Sequence, residues 1–231
     1  EITRIWLPQG LHAVPDTLRK ELQDEIDRTK PDEGYQAILV GYGLCGRGVE
    51  GVFSRNIPLV LPRTHDCIAL FLGGHARYLE QFSRTPGTYW FTRGFIEQGG
   101  QPGLKGKHKG VFKRYEETYE DYEQRYGREI AMYLLEEWDQ RWMQNYTRAA
   151  YVRWDYEESD AHRELTRECA GNLGWKYEEI PADLGMLERQ LAGKWHPDEF
   201  LVVLPGTQIA ATNDDRLMDA LSPAEAAALA N

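Results

Sequence analysis

This chain of 231 residues has few cysteines, no long apolar run and no excess of basic residues. A chain of this length can bury a core and needs no disulfide framework, and its odd count of three cysteines suits a reducing compartment, where thiols serve as ligands or nucleophiles. No run of about 18 apolar residues and no leader-like opening occur, so we expect neither a membrane span nor a signal peptide. The sequence therefore predicts a cytoplasmic, globular protein.

The net charge of the chain indicates which classes of binding partner to expect. The chain carries 27 Lys and Arg against 37 Asp and Glu, a net charge of −10. Nucleic acids and anionic membrane surfaces are bound largely through clustered Lys and Arg, so we expect neither as a partner. A small-molecule ligand is the expected partner instead.

Short apolar runs that alternate with helical stretches predict an α/β fold. We expect a single α/β domain over residues 1–231, built on an open, mostly parallel sheet flanked by helices, with a loop and a long helix at 99–147 as an insertion or lid. The strand candidates are Ile5–Leu7, Ala37–Val40, Ile57–Pro62, Gly87–Thr92, Ala149–Val152, Trp175–Tyr177 and Phe200–Leu204.

Two cysteines and a histidine directly follow the carboxyl ends of two successive strand candidates. Cys45 lies in a glycine-rich turn after the first strand, and His65 and Cys67 lie in the turn after the second. Ligands bind at this edge of open α/β sheets, and neighbouring strands lie about 4.8 Å apart, so we expect the three side chains to converge. Two thiolates and one imidazole suit a soft metal and leave one coordination position open, as in catalytic centres.

Three polar residues near these donors are predicted to take part in catalysis. Arg63 would fix an acidic group of the ligand, and Asp66 or His12 would move a proton. Asp66 or the neighbouring Thr64 is also placed to cap the helix that follows.

Four further residues are predicted to bind the substrate. The glycines would permit positive φ angles and a close backbone approach to a ligand, and the other two residues stand at strand exits, where an anionic group would bind. These residues are Gly43, Gly46, Arg93 and Thr207.

Other interpretations of the same residues stay open. Cys45 and Cys67 are also typical of small buried residues at helix–sheet contacts. Cys67 at a helix start near an imidazole would suit a thiol nucleophile that needs no metal, with Cys45 as its partner. Residues 41–46 match the dinucleotide pattern G-x-G-x-x-G, but the next strand follows too soon for a crossover helix. Cys169, within a helical stretch, is predicted to be a packing residue.

Four segments together resemble the family of uncharacterised proteins known as DUF1638. The resemblance covers most of the chain and implies methyl-group metabolism, with a corrinoid protein or methyltransferase as partner, because members accompany corrinoid-dependent methyl-transfer proteins. The segments are residues 6–12 (WLPQGLH), 41–46 (GYGLCG), 62–68 (PRTHDCI) and 87–90 (GTYW).

The resemblance also implies a strand that ends in a cysteine ahead of residue 6, which this sequence does not contain. With such a third thiol, an iron–sulfur cluster with one open site is expected. With Cys45, His65 and Cys67 alone, zinc or another single metal ion is expected.

The leading hypothesis is therefore a metal-site protein that acts on a small anionic, thiol-bearing or methyl-bearing ligand. If it is catalytic, it is a metal-dependent transferase or lyase. The alternative is a non-catalytic accessory or carrier protein for a corrinoid partner. The regularly spaced aromatic residues between 115 and 142 are predicted to pack on the core, or alternatively to roof a ligand pocket or form a homodimer seam. In an accessory protein they would form the docking face.

Overall fold

The structure is a computed structural model that describes residues 2–8, 10–11, 14–98, 123–125, 127–130, 143–155 and 160–229. The chain divides into two compact units. The first unit contains residues 1–78 and 183–231, and the second contains residues 79–182.

Seven α-helices, one short 3₁₀ helix (Pro31–Glu33) and eight strands have both ends within the described ranges. The helices are α1 (Pro15–Arg28), α2 (Cys67–Phe71), α3 (His75–Arg84), α4 (Arg93–Gln98), α5 (Asp160–Leu173), α6 (Gly185–Leu191) and α7 (Pro223–Leu229). The strands are β1 (Ile38–Leu39), β2 (Leu59–Pro62), β3 (Thr88–Phe91), β4 (Arg148–Arg153), β5 (Lys176–Pro181), β6 (Phe200–Val203), β7 (Gln208–Ala211) and β8 (Met218–Leu221).

The first unit is organised around β2, the central strand of a three-stranded sheet. β1 pairs with it in parallel and β6 pairs with it in antiparallel orientation. Leu59 and Leu61 enter the core cluster that includes residues of α1, whereas Val60 enters a second cluster with residues of α2 and α6. An unbroken apolar strand is thus buried on both faces, as its sequence predicts.

The helix α1 covers one face of this sheet for reasons visible in its sequence. Pro15 stands at its first turn, where a missing N–H costs nothing. Leu18, Leu22 and Ile26 recur at helical spacing and are buried against the sheet. A short antiparallel pair, β7 with β8, adds Ile209 and Met218 to the same core.

The second unit contains a parallel sheet in the order β3-β4-β5, packed against α5. Cys169 on α5 is fully buried and shares a core cluster with Phe91 and Tyr151, which confirms its prediction as a packing residue. Arg148 is also buried, and its guanidinium donates to Thr88 and Gln81 and forms an ion pair with Glu178.

The α/β class is confirmed. The described strands form three separate sheets, of which one is parallel, one mixed and one antiparallel. The strand predicted at Ile5–Leu7 is wrong, because residues 2–8 take no regular structure. The predicted insertion at 99–147 falls mostly outside the described residues, and so do all of the aromatic residues between 115 and 142.

No helix among the described residues has the length and apolar character needed to cross a bilayer.

The central position of β2 leads to a prediction about stability. Leu61 is fully buried, so Leu61→Ala should lower the free energy of unfolding by about 2–5 kcal/mol, the range for a buried leucine truncated in a core. The matched control is Leu204→Ala, because Leu204 is 59% exposed; its effect should stay within about 0.5 kcal/mol. Urea titration followed by fluorescence measures both. Equal effects of the two changes would contradict the central placement of β2.

Candidate functional site

The loops that follow β1 and β2 are joined by backbone hydrogen bonds. The Leu44 N–H donates to the Thr64 carbonyl and the Cys45 N–H donates to the His65 carbonyl, each at 2.8 Å. These bonds continue the parallel pairing of β1 with β2 beyond the strand ends. The carboxyl ends of the two strands therefore present Cys45 beside the segment that contains Cys67, as the sequence predicts.

Gly43 makes this loop pairing sterically feasible. A Cβ at this position would lie 2.5 Å from the Thr64 hydroxyl oxygen and 2.7 Å from the Thr64 carbonyl oxygen. Only glycine avoids that overlap, so Gly43 serves the close approach of two backbone segments. Its predicted contact with a substrate stays a prediction.

Cys45 sits in a backbone conformation that few non-glycine residues adopt. Its φ is +47°, and the next two residues, Gly46 and Arg47, have φ of +62° and +70°. Left-handed backbone at a non-glycine residue is uncommon and concentrates at functional sites. The Arg47 side chain pairs with Glu50, which keeps it within its own turn.

Cys67 is the first residue of α2, and Asp66 caps that helix. The Asp66 Oδ1 accepts a hydrogen bond from the Ala69 N–H at 3.0 Å, as one of the two predicted caps. Cys67 keeps an exposed surface, whereas Cys45 is partly buried. The cap therefore holds a carboxylate beside the thiol-bearing end of the helix.

Burial and neighbouring charge favour the protonated form of both thiols. Burial among protein atoms, followed by the charge of Asp66, raises the pKa of Cys45 to about 11. Burial, then Asp66 and then Cys45 raise the pKa of Cys67 to about 12, although the residue keeps an exposed surface. Burial and the two thiols also raise the pKa of the Tyr42 hydroxyl. Cys45, Cys67 and Tyr42 therefore lie close enough to interact electrostatically.

His75 is a neighbour of this site that sequence reasoning missed. Its ring lies against that of His65, with centroids 5.0 Å apart and planes tilted by 57°. The His75 Nδ1 and the Thr64 hydroxyl are buried and have no hydrogen-bond partner among the described residues. A sequence feature that points to this placement is the short distance from Cys67 to His75, which spans one short helix and a Gly-Gly turn before α3 begins.

The predicted three-donor set is not assembled in this conformation. Among the described residues, no three His, Cys, Asp or Glu side chains are grouped so that they could hold a metal ion as they stand. Cys45 and Cys67 are brought near each other, but the His65 ring packs on His75. His12 lies outside the described residues.

Arg63 acts as a brace for the loop after β2. Its Nε donates to the Pro197 carbonyl at 2.8 Å, and its Nη1 donates to the carbonyls of Arg216 and Met218. Burial lowers the pKa of the guanidinium, which nevertheless stays charged at neutral pH. These bonds tie the start of the His65–Cys67 segment to distant parts of the first unit, and a catalytic role for Arg63 stays a prediction.

The other predicted residues have local contacts. The Thr207 hydroxyl donates to the Leu204 carbonyl and closes a turn. Arg93 begins α4 in the second unit and pairs with Glu97 at 2.7 Å. Gly46 is exposed with open space around it. None of these contacts tests substrate binding.

The fold and the site together define an α/β protein that presents two thiols, with two imidazoles beside them, at the carboxyl edge of a mixed sheet. A family model described as a protein of unknown function, DUF1638, matches residues 6–191, and the chain belongs to this family. No curated protein and no solved structure matches the chain.

The role of Gly43 yields a matched pair of variants. Gly43→Ala should lower the free energy of unfolding by about 1–3 kcal/mol, because the new methyl group overlaps Thr64. Gly41→Ala is the control, since a Cβ there meets nothing within 4 Å. Urea titration measures both variants. A Gly43→Ala protein as stable as Gly41→Ala would contradict the close loop pairing.

The raised thiol pKa values predict a distinctive pH profile of alkylation. In metal-free Cys169→Ala protein at pH 8, iodoacetamide should modify Cys45 and Cys67 at least about tenfold more slowly than in urea, because far less thiolate is present. The native rate should still rise between pH 9 and pH 10, since both pKa values lie above that range, whereas the denatured rate should level off. Mass spectrometry of the labelled peptides gives both rates. An inflection below pH 8 in the native protein would indicate an activated nucleophile instead.

Proposed function

We propose that this protein binds a soft transition-metal centre through Cys45 and Cys67 and presents it to a small ligand. The observation that carries the proposal is the pairing of the two loops by the Leu44 and Cys45 N–H groups, which brings both thiols to one edge of the sheet. Thiolates are the protein ligands that zinc and other soft metals prefer.

The local charges also support a cation at this edge. Burial raises the pKa of both thiols most, and the negative charge of Asp66 raises it further because it opposes a second negative charge nearby. A metal cation reverses this opposition, since it stabilises two thiolates and a carboxylate together. Metal binding would therefore release protons from Cys45 and Cys67.

The thiols of Cys45 and Cys67 are the kind of donor that a soft metal prefers, and the proposal places these two donors at the site. Cys169 is buried in the core of the second unit and serves packing. A cluster held by four cysteines would need thiols beyond those of this sequence, so a single ion such as zinc fits these residues better. A centre with few protein donors keeps coordination positions for a ligand, as catalytic metal sites do.

The ligand class follows from the metal and from the family. A soft centre accepts a sulfur or polarises an oxygen, which suits a thiol-bearing or anionic small molecule. The link to corrinoid-dependent methyl transfer rests on the family resemblance alone. Within this proposal a methyl-bearing thiol would be the ligand, and a corrinoid protein would be the partner.

A metal-free thiol nucleophile is the competing use of the same residues. Burial, followed by the charges of Asp66 and Cys45, raises the pKa of Cys67, which disfavours the thiolate that a nucleophile needs. A bound cation removes that obstacle by stabilising the thiolate directly. The metal proposal is therefore the better account of these thiols.

Metal content tests the proposal. Protein purified without oxygen should carry about one equivalent of a transition metal, whereas Cys45→Ser and Cys67→Ser should each carry less than about a tenth of an equivalent. Cys169→Ala is the matched control and should keep the wild-type content, because its thiol is a core residue. Elemental analysis by mass spectrometry gives the stoichiometry.

Two results would contradict the proposal. One is wild-type protein that stays below about a tenth of an equivalent even after anaerobic incubation with Zn²⁺. The other is an equal loss of metal in all three variants, which would indicate unfolding or adventitious binding. Circular dichroism of each variant shows whether it is folded and so distinguishes unfolding from adventitious binding.

A further inference from the structure

The carboxyl edge of the parallel sheet in the second unit carries a group of charged and polar side chains that the proposed metal centre does not use. Phe91, Tyr151 and Glu179 are register partners on β3, β4 and β5, so their side chains share one face of the sheet. Arg93 begins α4 two residues after Phe91. Ligands of open α/β sheets bind outside the carboxyl ends of the strands, which is where this group lies.

Glu179 forms one part of this group. Its Oε1 accepts hydrogen bonds from the Tyr177 hydroxyl at 2.8 Å and from the Arg167 Nη2 at 3.1 Å. Its Oε2 lies 3.6 Å from the Arg163 Nε on α5. The carboxylate that neighbours Tyr151 in the sheet is therefore already engaged by three other side chains.

Arg93 and Glu97 form a second part of the group. The Arg93 Nε pairs with the Glu97 Oε1 at 2.7 Å. The same Oε1 lies 3.8 Å from the Nε2 of His162, which precedes Arg163 in the first turn of α5. These contacts connect the start of α4 with the first turn of α5, and α5 packs on β4 and β5.

Two polar atoms in this group lack a hydrogen-bond partner among the described residues. Tyr151 is 2% exposed, and no hydrogen bond joins its hydroxyl to another described residue. The His162 Nδ1 is buried and is also unpartnered within the described part of the chain. Most buried polar atoms are hydrogen-bonded, so these two atoms call for a bound water, ion or ligand.

The surroundings of Tyr151 keep its hydroxyl a proton donor. Burial raises the pKa of the hydroxyl, and four charged side chains act on it: Arg163 and Arg93 lower the pKa, whereas Glu179 and Glu97 raise it. The hydroxyl is therefore protonated at neutral pH. Arginine keeps its charge throughout the physiological range, so an incoming anion meets a permanent positive partner here.

We propose that Tyr151, His162 and Arg163 bind a small oxyanion, the chemistry that carboxylates and phosphates share. The Tyr151 hydroxyl and the His162 Nδ1–H would each donate to an anion oxygen, and the Arg163 guanidinium would supply the opposite charge. The amino end of α5, a helix of 14 residues, adds a favourable dipole. Arg93, which the sequence predicts to bind an anionic group, begins α4 at the same edge of the sheet.

An anion has access to this site from solvent. The side chains of His162 and Arg163 are 16% and 24% exposed, so their donors are not sealed within the core. All of the residues involved belong to the second unit, and none is a thiol. The inference therefore goes beyond the proposed function and does not depend on it.

Calorimetric titration of the metal-free protein tests the inference. Inorganic phosphate and acetate are titrated separately, with the ionic strength held constant by sodium chloride, and wild-type protein should bind at least one of them saturably. Tyr151→Phe keeps the ring and removes only the hydroxyl. It should bind the anion at least about tenfold more weakly, the loss expected for a hydrogen bond to a charged group. Arg163→Gln should weaken binding at least as much, because the charge is lost.

Tyr177→Phe is the matched control. It removes a hydroxyl from the neighbouring strand that already donates to Glu179, so anion affinity should stay within about threefold of wild type. Without added anion, Tyr151→Phe should melt no lower than wild type, because the hydroxyl that it removes has no partner among the described residues. Saturating anion should raise the melting temperature of wild type more than that of Tyr151→Phe.

The outcomes are distinct. Tighter binding of phosphate supports a phosphoryl-bearing ligand, and tighter binding of acetate supports a carboxylate. Wild-type protein that binds neither anion saturably would overturn the inference and assign the two unpartnered atoms to water. Equal affinities of Tyr151→Phe and Tyr177→Phe would overturn it as well. Because the protein is free of metal throughout, failure of the metal proposal leaves these results unchanged.

Discussion

The pairing of two backbone segments at the ends of β1 and β2 is the constraint on which the rest of the site depends. Two N–H groups, from Leu44 and Cys45, meet the carbonyls of Thr64 and His65. Those bonds require the loops to touch, and the absence of a side chain at Gly43 permits the contact. Cys45 and His65 lie within this junction, and Asp66 and Cys67 follow it directly.

The junction is supported from the far end of the chain. The family match ends at residue 191, yet β6 follows it and forms one side of the central sheet. Arg63 leaves β2 and donates to carbonyls at Pro197, Arg216 and Met218. The segment beyond the family match thus contributes directly to the position of the residues that carry the candidate site.

The sequence predicts elements whose signal is local and misses those set by distant contacts. The apolar run at 57–62 predicts a buried strand, and the structure has one at Leu59–Pro62, buried at every position. The sequence does not reveal that its second neighbour is β6, because strand pairing depends on which segments meet after folding. The strands β7 and β8 lack a strong apolar run, so their pairing was not predicted.

The same distinction applies to the site. Cys45 and Cys67 could be placed at one edge because both follow strands directly. His75 could not, because its position depends on how the chain turns after α2. Arg63 was predicted to meet a ligand, but backbone carbonyls more than 130 residues away compete for its donors. Contacts of that sequence separation leave no local pattern to find.

The discontinuous first unit also has a consequence for synthesis. Its central strand β2 cannot pair with β6 until the whole of the second unit, which lies between them in the chain, has been synthesised. At about 5–20 residues per second, the ribosome needs on the order of ten seconds to make that intervening stretch. During this interval the emerging chain presents Cys45 and Cys67 as ordinary unburied thiols, open to oxidation or to stray metal ions. Protection of these two thiols from oxidation would therefore matter most before β6 joins the sheet.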